Sequence, residues 1–169
     1  MKRHILTISL EEYFQDRTFR RLIQKDQWSR FDTRLEANVL RTLDLLDKFN
    51  LTATFFALGW TAEHRPDVLR EVVRRGHEIA NKGYYPKTFR EMVPDELREN
   101  MARARAAIED ATGRPVLGTR IPQQWWSPDD AWALDVLAKE GYLYDSSVVP
   151  LLRSCKAEPW RRFVHRHQI

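Results

Sequence analysis

Short apolar runs alternate along this chain with longer stretches of helical periodicity, and that alternation admits few folds. The runs at residues 4–10, 52–58, 77–80, 116–119 and 143–145 are too short for helices and read as strands covered on both faces. Between them, residues 34–49 set Leu35, Val39, Leu43 and Leu46 at core spacing, and residues 66–75 begin with a proline in the first turn. Residues 95–112 and 128–140 continue the helical pattern, and Gly76, Gly113 and Gly141 stand where a C-terminal glycine ends a helix. Strand followed by helix, repeated, predicts an α/β fold with a mostly parallel sheet that lends itself to barrel closure.

The chain has 169 residues, enough for one domain with a substantial core, and 43% apolar with 31% charged residues is ordinary for a globular protein. The basic-then-apolar start is broken by Thr7 and Ser9 and runs into Glu11 and Glu12, so it reads as a first strand and not as an export signal. No stretch approaches the roughly 20 apolar residues of a membrane helix. A cytoplasmic location is the default expectation, and the single cysteine, Cys155, agrees with a reducing compartment. Twenty-eight Lys and Arg against 24 acids give a net charge of +4, spread along helices and not blocked, which argues against a nucleic-acid partner. The tail from Trp160 to His167 mixes cations and aromatics but reads better as a solvated or strand-forming face.

The run Gly76-His77-Glu78-Ile79-Ala80-Asn81-Lys82-Gly83-Tyr84-Tyr85-Pro86 ends a short strand in a polar turn. That arrangement sets residues 82 and 86 over the mouth of a sheet or barrel, where metals are commonly held. Here they are Lys82 and Pro86: an ammonium repels a divalent cation, and proline has no side-chain donor atom.

This run is one of five ordered matches to a known family. The others are Ser9-Leu10-Glu11-Glu12-Tyr13-Phe14, then Thr52-Ala53-Thr54-Phe55-Phe56-Ala57-Leu58-Gly59-Trp60, then Arg120-Ile121-Pro122, and the stretch from Trp132 through Ser147. Together they resemble the polysaccharide deacetylases, carbohydrate esterase family 4 with its NodB homology domain, and most closely the branch associated with exopolysaccharide synthesis. The resemblance implies a distorted (β/α) barrel with more strands than are legible here. Residues 1–169 are then expected to form a single deacetylase-like domain, a truncated portion of a longer barrel or longer protein. It also places the family's catalytic aspartate on Ser9, its metal-binding aspartate on Glu12 and its two metal histidines on Lys82 and Pro86. The arginine that orients the catalytic base is kept as Arg120.

Such substitutions imply a degenerate site with no catalytic residue and no cofactor, the alternative being a divalent metal such as zinc at an unusual site. Glu11 and Glu12 are adjacent on a strand, so only one turns into the barrel mouth. Its natural partner is Lys82, whose ammonium would supply the positive charge that a metal supplies elsewhere. His4, His64 and His77 read as structural, and His165 with His167 lacks a third ligand. Gln123, Gln124, Trp125 and Trp126, with Tyr84 and Tyr85, are the ligand-facing candidates, since tryptophan faces stack on sugar rings and amides bond hydroxyls; core packing is the competing role. The expected function is a carbohydrate-binding or structural module in exopolysaccharide metabolism, with an oligo- or polysaccharide as partner. The alternatives are an active deacetylase acting on carbon–nitrogen bonds other than peptide bonds, and a scaffold for a partner or fused glycosyltransferase.

Overall fold

The computed structural model describes residues 5–19, 22–122 and 128–147. Five parallel strands form one sheet in chain order: β1 (Thr7–Leu10), β2 (Thr54–Ala57), β3 (Glu78–Asn81), β4 (Gly118–Thr119) and β5 (Tyr144–Asp145). Each strand lies beside its predecessor in sequence, as repeated strand–helix–strand crossovers produce. The helices are α1 (Leu35–Lys48), α2 (Gly59–His64), α3 (Pro66–Arg74), α4 (Pro94–Thr112) and α5 (Ala131–Lys139). This is the expected α/β architecture, a curled part of a (β/α) barrel.

Alternation along the strands explains the two faces. Leu10, Phe55, Ala57, Ile79 and Ile121 point to the helices and form one core with Leu35, Val39, Leu43 and Leu46 of α1, Leu69 and Val72 of α3, and Leu97, Met101 and Ile108 of α4. Thr7, Ser9, Thr54, Phe56, Glu78 and Ala80 alternate with these and face the inside of the curl. All three helix-stopping glycines have positive φ, 83° at Gly76, 64° at Gly113 and 77° at Gly141.

Two differences from the sequence reading have physical causes. Helix α2 is six residues long, less than two turns, and so carries no readable apolar period. It exists because Gly59 lets it approach α4: a Cβ at that position would lie 2.6 Å from Ala104 Cα. The segment expected as one helix over 128–140 is a 3-10 turn at Pro128–Asp130 that feeds α5. The link from β1 to α1 also carries 3-10 turns at Tyr13–Gln15 and Lys25–Arg30, which have no strand or helix periodicity to show in sequence.

Candidate functional site

The strand ends β1 and β3 bring Glu11 and Lys82 together. Lys82 Nζ lies 2.6 Å from Glu11 Oε2 and donates to Ser9 Oγ at 3.0 Å. Lys82 retains 9% of its side-chain surface and Glu11 22%, so this ion pair is largely withdrawn from water. Glu12 turns the other way. Its carboxylate accepts the Leu35 N–H at 3.0 Å and the Thr33 hydroxyl, which ties the first turn of α1 to the end of β1. Adjacent residues facing opposite sides of a strand account for the division of labour.

Asn81 sets the position of Lys82. Its buried side chain donates to Met101 O at 2.9 Å and to the Tyr142 hydroxyl at 2.5 Å, and accepts the Gly83 N–H at 2.7 Å. The turn that follows β3 is thereby pinned to α4 and to the segment leading into β5. Sequence reasoning missed this residue, although a polar side chain at the end of an apolar strand is the kind of signal that marks one.

Arg120 follows β4 and crosses the inside of the curl. Its guanidinium donates to Thr7 Oγ1 at 3.1 Å, to Ser146 Oγ at 2.7 Å and to Ser146 O at 3.2 Å, and it rests 4.1 Å over the Phe56 ring. It thus bridges β1 and the end of β5, the two borders of the sheet, and reaches Thr7, two residues before Ser9. Burial pushes the guanidinium below the ordinary arginine range, while the nearby Asp145 charge pulls it back. Deeper in the curl, Glu78 accepts from Thr54 at 2.7 Å and from the Tyr144 hydroxyl at 2.8 Å; burial, and then the Glu78 contact, raise the Tyr144 hydroxyl.

The two tyrosines part company. Tyr84 is 3% exposed, donates to Glu63 Oε2 at 2.5 Å and is covered by the Arg103 guanidinium at 3.5 Å, so its ring and hydroxyl are both taken up in packing. Burial, reinforced by Glu63, pushes its hydroxyl up from the ordinary tyrosine value. Of the two roles the sequence leaves open for Tyr84, ligand contact or packing, these contacts belong to packing. Tyr85 is half-buried beneath the Lys25 ammonium, 4.2 Å from the ring centre. Gln123, Gln124, Trp125 and Trp126, the tail from Trp160 to His167, Cys155 and His4 lie outside the described residues.

These residues do not fit a divalent metal of the kind the resemblance implies. An ammonium holds the Glu11 carboxylate, Glu12 is committed to α1, Pro86 has no donor, and among the described residues no three His, Cys, Asp or Glu side chains converge. Also among the described residues, no helix is long and apolar enough to cross a membrane.

The fold and the ordered motifs define a carbohydrate-esterase type of barrel. The family model for polysaccharide deacetylase matches residues 21–142, and the chain belongs to that family. A peptidoglycan deacetylase of Helicobacter pylori is 28% identical over 114 residues, covering 68% of this chain and 38% of that protein. A chitooligosaccharide deacetylase of Bradyrhizobium is 30% identical over 96 residues, 57% of this chain and 42% of that one. The chain thus spans about two fifths of the length of these curated relatives. Among solved structures, a protein from Mycobacterium smegmatis named as a polysaccharide deacetylase superposes with a TM-score of 0.69 and 28% identity, over 86% of this chain and 50% of that one. A Bacillus anthracis protein described as a pseudoenzyme of carbohydrate esterase family 4 shares the fold with a TM-score of 0.60 and 16% identity, over 81% of this chain and 41% of that one.

Proposed function

We propose that this polysaccharide-deacetylase-like domain has exchanged metal-dependent chemistry for a built-in cation and acts as a carbohydrate-binding module in exopolysaccharide metabolism. The observation that carries this reading is the Lys82 ammonium, 2.6 Å from Glu11 Oε2 and 3.0 Å from Ser9 Oγ. A metal-dependent deacetylase needs a Lewis acid to polarise the acetamide carbonyl and a carboxylate to take the proton of the attacking water. Here Glu11, the inward carboxylate at the end of β1, already holds an ammonium. The sugar specificity of the named relatives suggests the probes, N-acetylated oligosaccharides.

The test is elemental analysis of purified protein together with acetate release from chitooligosaccharides and aryl acetates. Less than about a tenth of an equivalent of zinc, cobalt or nickel, with acetate release at the blank rate, is expected. Metal near one equivalent, or turnover abolished by Glu11→Ala or Glu12→Ala, would reverse the proposal. A second reading, an altered hydrolase, draws on Ser9, which is exposed beside Lys82. Against it, the ammonium donates to the hydroxyl and does not withdraw a proton. Aryl-acetate turnover lost in Ser9→Ala would favour it.

A further inference from the structure

The link from β1 to α1 leaves three large apolar side chains in water: Tyr13 is 46% exposed, Phe19 37% and Leu22 77%. They are neighbours. The Tyr13 and Phe19 rings meet edge to face at 6.0 Å between centres, and the Leu22 N–H donates to Phe19 O at 2.9 Å. Their base is rigid, because Tyr13 also packs edge to face on Phe14 at 5.3 Å, and Phe14, 2% exposed, is held in turn by Trp28 and Trp60. Contiguous exposed apolar groups mark contact surfaces, whereas single ones do not. Charge sets this link apart as well. Residues 16–34 hold six Lys and Arg against three Asp, whereas residues 35–147 hold 15 Lys and Arg against 18 Asp and Glu, so a basic link stands on an acidic body.

The geometry points to this patch as a docking surface for an anionic lipid bilayer, with Tyr13, Phe19 and Leu22 entering the headgroup layer and the basic link lying against the lipid phosphates. Apolar burial and attraction to anionic lipid are the two components of interfacial binding, and the link supplies both. Tyrosine suits that depth, since its ring is apolar and its hydroxyl stays wet. Leu22 projects from the protein instead of lining a cleft, which fits a deformable lipid surface better than a second protein. A second copy of this chain meeting the patch across a two-fold axis would set one basic link against another. The other exposed apolar group, Leu45, Phe49 and Leu51, stands with Asp44, Asp47 and Lys48 and so lacks the positive surplus. Tyr13 is two residues beyond Glu11, so docking turns the Lys82–Glu11 end of the sheet toward the membrane. Lipid contact through this patch does not require a sugar at that end.

The experiment is co-sedimentation of the full chain with vesicles of phosphatidylcholine, with and without phosphatidylglycerol, for the wild type, Leu22→Glu, Phe19→Ser and Phe49→Ser/Leu51→Ser. Binding to the vesicles that contain phosphatidylglycerol is expected to be at least about tenfold tighter than to phosphatidylcholine alone, and to weaken in about 0.5 M salt. Leu22→Glu is expected to lose at least about tenfold, from one apolar contact removed and one negative charge added. At 77% exposure the position tolerates the change, so this variant keeps the wild-type circular dichroism even if Phe19→Ser does not. Phe49→Ser/Leu51→Ser, at the other end of the sheet, should stay within about twofold of wild type. Equal binding to the two kinds of vesicle, or binding to neither, would overturn the assignment to anionic lipid. Leu22→Glu within about twofold of wild type, or an equal loss in Phe49→Ser/Leu51→Ser, would overturn its place. A wild-type dimer in sedimentation velocity that Leu22→Glu dissociates would give the patch to a second copy instead.

Discussion

Replacing Lys82 by methionine keeps most of the side chain's volume and deletes only its charge and donors. The Glu11 carboxylate then loses its counter-ion, and Ser9 Oγ loses a donor. Breaking a fully buried pair typically costs about 3–5 kcal/mol, whereas an exposed pair contributes about 0–1 kcal/mol. Glu11 keeps 22% of its side-chain surface, so water recovers part of its solvation, and the expected loss lies between these limits at about 2 kcal/mol. With a urea m-value of about 2 kcal/mol/M, the unfolding midpoint would fall by about 1 M at unchanged slope. Adding Glu11→Gln to Lys82→Met should recover part of the loss, since no charge is then left without a partner, and the four proteins form a double-mutant cycle. A single-variant loss below about 0.5 kcal/mol, or a pair of substitutions that simply add, would refute the view that the two charges stabilise each other.

Two further outcomes are expected. Asn81→Ala leaves the buried Gly83 N–H without its acceptor and removes the donors to Met101 O and the Tyr142 hydroxyl, so a loss of about 3 kcal/mol is expected; hydrogen exchange should show the Gly83 amide deprotected, and full protection would contradict the role given to Asn81. His77 is buried, and its Nδ1 accepts the Ala53 N–H at 3.3 Å; desolvation, opposed by Asp47 and reinforced by Arg75, lowers its pKa from the ordinary 6.5. The folded state thus binds fewer protons than the unfolded chain, so this contribution is complete above pH 6.5 and is lost as pH falls below it toward the lowered value. Urea midpoints measured between about pH 8 and 5 should converge for wild type and His77→Asn as pH falls, because asparagine offers an oxygen to Ala53 and does not titrate there; parallel curves would show that His77 is not the group responsible.

Much of the scaffold was legible because its signals are local. The apolar period of α1 is carried by Leu35, Val39, Leu43 and Leu46, all buried, and Gly76, Gly113 and Gly141 end their helices with positive φ. Helix α2 was hidden because less than two turns cannot show a period and because its cause, the close approach of Gly59 to Ala104, involves a residue far along the chain. The site divided in the same manner. That Glu11 and Glu12 face opposite sides follows from the twofold repeat of a strand. That Glu12 holds α1 depends on where Leu35 comes to lie, and that Arg120 spans Thr7 and Ser146 depends on the curl of the sheet.

The order of amino acids alone determined the strand–helix alternation, the outward core faces and the chemical types at positions 9, 11, 12, 82, 86 and 120, because periodicity and donor chemistry are properties of neighbouring residues. Only the tertiary structure decided that the ammonium of Lys82 meets Glu11 and not Glu12, that Tyr84 belongs to the packing, and that Pro86 shares a cavity with Phe14 and Trp28. Those pairings join residues distant in the chain across a curved parallel sheet, where strand stagger and turn geometry set which side chains come within a hydrogen bond of one another.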